Sequence, residues 1–149
     1  MARTIRIALA LTLLAVLTIG STATAAAGGQ KIFDASMAGL TTPGQVIDGV
    51  TAAGAPWSID EGRATIYANG RVHVEVEGLI VTALGRNPAA TGKVRVSCNG
   101  VPVAETATVP FSTEGDAEVD AIVSLPSPCF GPSVFFTSAG GSWFAVTGF

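Results

Sequence analysis

The chain has 149 residues, 48% of them hydrophobic and 13% charged, with a formal net charge of −3. Most of that length fits one domain around a single core. A mildly acidic chain without a basic run argues against nucleic acid or an anionic membrane surface as partner.

The first stretch reads as a leader. Arg3 and Arg6 precede an apolar run from Ile7 to Ile19, and small residues follow in "GSTATAAAGG". A charged start, an apolar middle and A-x-A sites after Ala25 or Ala27 make residues 1–27 a signal peptide. The run is too short for a stable membrane span, so no membrane anchor is expected after cleavage. Its removal would leave six basic against eleven acidic residues, a net charge of −5. The expected location is secreted, outside the cell.

Residues 28–56 are softer, with "TTPGQ" and "GAP" among Gly, Ala and Thr. They predict an N-terminal arm with one or two short strands. Residues 57–149 then follow a different rhythm, packed with the arm as a single domain. Short runs rich in Val, Thr and aromatics alternate with Gly, Pro and Asn every eight to twelve residues. This spacing predicts an all-β fold, an antiparallel β-sandwich of Ig-like or similar type with one disulfide.

The clearest unit is "GRATIYANGRVHVEVEGLIV". Val72, Val74 and Val76 alternate with Arg71, His73, Glu75 and Glu77, giving one apolar and one wet face. A two-residue Asn69-Gly70 loop would pair Ile66 with His73. A three-residue loop, Ala68 to Gly70, pairs Ile66 with Val72, Ala64 with Val74, Thr65 with His73 and Arg63 with Glu75. The second register keeps the valines dry and is preferred, with Gly70 in the left-handed bulge position.

Asn99-Gly100 signals a second hairpin between "KVRVSC" and "VPVAETATV". One register pairs Val96 with Val103, another Arg95 with Glu105. "STEG" turns into "DAEVDAIVSL", where Asp116, Glu118 and Asp120 share one face of one strand. Pro126, Pro128 and Pro132 mark a loop around Cys129. "SVFFTS" and "SWFAVT" form a final hairpin, so the aromatic ending reads as a core strand, with Phe144 and Val146 inward and Trp143 covering the end of the core.

Cys98 and Cys129 are the only cysteines, and export makes a disulfide the default. Two Cys and one distant His supply too few ligands for zinc, and no metal site or cofactor is expected. The acidic row lacks a Ca²⁺-loop spacing and reads as protection of an edge strand, with weak Ca²⁺ binding the rival. His73, the only histidine, has no G-x-S-x-G elbow to serve and reads as a strand residue. Trp57 and Trp143 could line a carbohydrate platform but read more simply as packing.

"PWSIDEGRATI", "VEVEGLIV", "LPSPC" and the ending "GSWFAVTGF" together resemble a group of secreted bacterial β-rich proteins of uncharacterised activity that end in G-x-W-F-A-V-T-G. That resemblance covers Pro56 to Phe149 and implies export and a β fold, with no site residues. "FDASMAGL" followed by "GRATIYANGRVHVEVEGL" is also similar to the opening of chordin-type extracellular domains, whose later His-containing portion has no counterpart here. The residues point to a non-enzymatic module that binds a protein or envelope polymer. The alternative is a secreted hydrolase whose carboxylates converge only in three dimensions.

Overall fold

Alternation of apolar and polar residues builds the strands. The computed structural model describes residues 29–148, so the leader expected over residues 1–27 lies outside them, as do Gly28 and Phe149. Along β1 (Lys31–Gly39), Phe33, Ala35 and Met37 turn inward while Asp34 and Ser36 stay exposed. β2 (Val46–Ile47) and β3 (Val50–Thr51) form a small hairpin, and β4 (Trp57–Ser58) is equally short. β5 (Glu61–Tyr67) and β6 (Arg71–Glu77) follow, then β7 (Ile80–Val81), which pairs with β4. β8 (Thr91–Cys98), β9 (Val101–Glu105) and β10 (Val109–Pro110) lead to β11 (Ala117–Ile122). β12 (Ser133–Ser138) and β13 (Trp143–Thr147) close the described chain.

The fold is all-β and antiparallel. Its main sheet runs β10-β8-β12-β13-β1-β5-β6-β11, with β9 also on β8. β1 joins the two halves. Its first part, Lys31 to Ser36, pairs with β5, and its last part, Met37 to Gly39, pairs with β13. The sheet curls, and both halves contribute to one core: Ile66, Val72, Val74, Val76 and Val119 from one side, Val94, Val96, Val134 and Phe136 from the other.

The arm expectation needs correction. Residues 28–56 hold the nine-residue β1, the strand both halves share, and not only short strands. Small residues weaken its signal in a hydrophobic count, and at Gly39 the position demands one. A Cβ on Gly39 would sit 2.3 Å from the Trp57 carbonyl oxygen.

The β5–β6 hairpin has the three-residue register, with Ile66 opposite Val72, Thr65 opposite His73 and Arg63 opposite Glu75. Gly70 is required twice over. Its φ is +83°, and a Cβ there would lie 2.3 Å from the Val123 carbonyl oxygen. In the β8–β9 hairpin, Arg95 faces Glu105, and a bulge after Val96 absorbs the offset to the two-residue Asn99-Gly100 turn. Cys98 and Cys129 are disulfide-bonded, with their Cα atoms 5.1 Å apart.

β13 is buried on both faces. The ladder to β12 shifts register between Phe136 and Thr137, which separates the residues expected to share one face. Phe144 stacks on Trp57 at 4.0 Å between ring centres, beside Phe111. Val146 instead lines a small cavity with Trp143, Gln45 and Ile47. The segment carrying β2 and β3 covers that second face, and the Ala53 N–H donates to the Trp143 carbonyl at 3.0 Å.

Phe144→Ala should lower unfolding stability by about 3–5 kcal/mol, because it empties a stacked, buried site; a denaturant melt monitored by circular dichroism reads it. Replacing both cysteines by alanine should cost about 3–4 kcal/mol for a loop of 31 residues, measured in the same way.

Candidate functional site

The outer face of β1, β5, β6 and β11 gathers most of the polar side chains singled out in the sequence. Cross-strand register aligns them in rows. One row runs Asp34, Thr65, His73, Asp120, and the next runs Ser36, Arg63, Glu75, Glu118. Each residue is outward because its strand neighbours are core residues such as Ala64, Val74 and Val119.

Charge pairing on this face is diagonal. Arg63 is opposite Glu75 in the ladder, but its Nε lies 2.7 Å from Asp34 on the other neighbouring strand. Lys31 also reaches Asp34 at 2.7 Å. The hydrogen bond from Arg63, then that from Lys31, holds the Asp34 carboxyl down at about 2. Arg71 donates two hydrogen bonds to Asp120, Nε to Oδ1 at 2.7 Å and Nη2 to Oδ2. That fork holds the Asp120 carboxyl below its ordinary range. The Arg71 guanidinium also lies 5.3 Å from the Tyr67 ring centre.

His73 stands beside two carboxylates, with Nδ1 3.9 Å from Glu118 and 4.0 Å from Asp120. That nitrogen is shielded from solvent and has no hydrogen-bond partner among the described residues.

β11 is an edge of the sheet, as the acidic row suggests. The row does not converge. Asp120 is held by Arg71, Asp116 accepts a hydrogen bond from the Gly78 N–H at 3.0 Å, and Glu118 is beside His73. Among the described residues no three His, Cys, Asp or Glu side chains are grouped to hold a metal ion. Glu75, Glu77, Asp116 and Glu118 line an open groove of about 650 Å³ with Pro110 and Ala117. Like charges face one another in this groove, Glu75 across from Glu118, and beside it, Glu61 across from Glu77.

Neither tryptophan offers a ring to solvent. Trp57 is 5% exposed and stacked on Phe144; Trp143 is 2% exposed and 6.3 Å from Phe135. Both are packing residues, so a carbohydrate platform built on them has no open face.

Sequence reasoning missed a different surface. At the other end of β11, Ile32, Tyr67, Ile122, Leu125, Pro126 and Cys129 line a groove of about 610 Å³. Ile32 is 57% exposed, Ile122 74% and the adjacent Phe130 66%. The rim is braced by the disulfide, by the Asn99 N–H bonded to the Phe130 carbonyl at 2.8 Å, and by the Val123 N–H bonded to the Gly70 carbonyl at 2.9 Å. Period-2 patterning carried a signal for Ile122, which falls in step with Glu118 and Asp120 and must therefore point outward. Phe130 sits among prolines, where no period exists.

No protein-family model, curated protein or solved structure matches the chain.

The Asp34 and Asp120 carboxyls are depressed in the folded state, so their contribution to stability is complete above the ordinary carboxyl range and is lost as the pH falls through the folded values. Melting temperature should decline between about pH 4 and pH 2 on their account. Arg63→Gln releases the Asp34 carboxyl and should flatten that decline, as thermal melts across the pH series will register.

Proposed function

We propose that the chain is an exported, non-enzymatic binding module whose partner is an extracellular protein or an envelope polymer. The observation that carries this reading is the open groove lined by the exposed Ile32 and Ile122 with Leu125, Pro126 and Cys129, the exposed Phe130 following Cys129 in the chain. Burying an apolar side chain is worth about 1.5–3 kcal/mol, so leaving Ile32 and Ile122 in water on one groove marks a surface suited to contact. The rim stands on a rigid frame, since the loop behind it is tied to β8 by the disulfide. A disulfide is compatible with an oxidising, extracellular compartment, in line with the leader pattern in the first residues.

The test uses the domain from Gly28 onward, immobilised and exposed to culture fluid and envelope fractions of the producing cells. One protein or polymer should be retained, and retention should fall at least about tenfold for Ile122→Ser combined with Phe130→Ser, the loss of one buried apolar side chain's contribution. Circular dichroism confirms that the variant is folded. Equal retention by both forms would place the contact surface elsewhere.

A further inference from the structure

We propose that Asn99 is a site of spontaneous modification, its side-chain amide lost through a cyclic imide formed with Gly100, while the fold protects the same dipeptide at Asn69-Gly70. The product is an aspartyl or isoaspartyl residue in the turn that holds the Phe130 loop.

The reaction needs two groups of the chain and one water. The Gly100 main-chain nitrogen gives up its proton and attacks the Asn99 Cγ. The N–Cγ bond forms as the Cγ–Nδ2 bond breaks, and ammonia leaves with the proton. Water then opens the five-membered ring at either carbonyl. Opening at Cγ leaves an aspartyl residue. Opening at the other carbonyl leaves an isoaspartyl residue, whose main chain runs through the side-chain methylene. A following glycine favours the first step, because no side chain shields its nitrogen. The chain has three asparagines, and the remaining one, Asn87, precedes Pro88, which has no N–H to give up.

The two Asn-Gly turns hold their reacting groups differently. At the β5–β6 turn, the Gly70 N–H donates to the Tyr67 carbonyl at 2.9 Å. The Asn69 Oδ1 accepts from the Arg71 N–H at 3.0 Å. Gly29 packs on the same side chain, where an added Cβ would lie 3.1 Å from the Asn69 Cγ. Attacking nitrogen and attacked carbon are both pinned. At the β8–β9 turn, Asn99 and Gly100 are exposed. Among the described residues neither the Asn99 side chain nor the Gly100 N–H has a hydrogen-bond partner. A Cβ on Gly100 would meet nothing nearer than 3.9 Å. The φ values of +56° and +78° set a two-residue hairpin turn that needs asparagine for its backbone and leaves its side chain unused. Opening that turn to bring Cγ onto the nitrogen breaks no side-chain bond.

Two neighbours feel the product. The Asn99 N–H donates to the Phe130 carbonyl at 2.8 Å, beside the Cys98–Cys129 bond. An isoaspartyl link adds a main-chain atom to a turn of two residues, which has no slack for it, and the tie to Phe130 is lost. Either product also sets a carboxylate near Asp48, whose Oδ1 is the atom closest to a Cβ on Gly100 and whose Oδ2 accepts from the Ser97 hydroxyl.

The experiment ages the folded, disulfide-bonded domain in warm, mildly alkaline buffer and maps its peptides by mass spectrometry. Asn99 should convert faster than Asn69 by about tenfold, the factor one further hydrogen bond can impose on opening the turn. In the reduced, unfolded chain the two sites should convert at similar rates. Asn99→Gly keeps a residue suited to positive φ and should abolish the fast conversion. Hydrogen exchange on the isolated isoaspartyl form should show the amide of residue 99 unprotected. Equal rates in the folded domain, faster conversion at Asn69, or no conversion at Asn99 while the unfolded chain converts would overturn the site. A residue-99 amide still protected in the isoaspartyl form would overturn the loss of the Phe130 tie.

Discussion

One strand has to serve two halves of a sheet, and the rest of the molecule follows from that. β1 pairs with β5 along its first part and with β13 along its last, so the sheet must turn where the partners change. The turn brings the valines of β6 and the aromatics near β13 into a single core. It also explains the glycine that ends the strand. A side chain at Gly39 would collide with the main chain of β4, whose Trp57 carbonyl oxygen lies 2.3 Å from where a Cβ would sit.

The curl leaves the two surfaces of the domain unequal. Beside β13, the segment carrying β2 and β3 lies over the strand, and Trp143 and Val146 vanish beneath it. Over β5, β6 and β11 no such cover exists among the described residues, and the exposed face is charged. Its ion pairs link neighbouring strands, Asp34 to Arg63 and Asp120 to Arg71, yet all are solvent-exposed and individually weak. They fix which side chains are spoken for. The carboxylates left over collect at one end of β11 and the exposed apolar groups at the other.

Much of this was legible in the residues, for reasons that can be named. The β5–β6 register could be worked out because a slip of one residue would have wetted three valines. The β8–β9 register could not, since Val103 and Ala104 are both tolerable opposite Val96, and a bulge, invisible to simple counting, selected the second. A bulge likewise split Phe144 from Val146. β1 escaped because alanine and glycine carry little pattern. The pairing of Arg63 escaped because the choice between Glu75 and Asp34 depends on which strand lies on its other side, a fact of topology that no local spacing encodes. The rim at Ile122 and Phe130 is likewise a product of the loop path and the disulfide.

The pairing of β1 with β13 sets an order of events during folding. Residues 37–39 meet residues 145–147, the first strand of the described chain against the last. A growing chain can form the β5–β6 hairpin early, but the seam between the halves stays open until β13 has been made. Such distant contacts must overcome loop-closure entropy before they return any stability, which places domains of this kind among the slow folders. Pairing of β13 with β1 closes that seam.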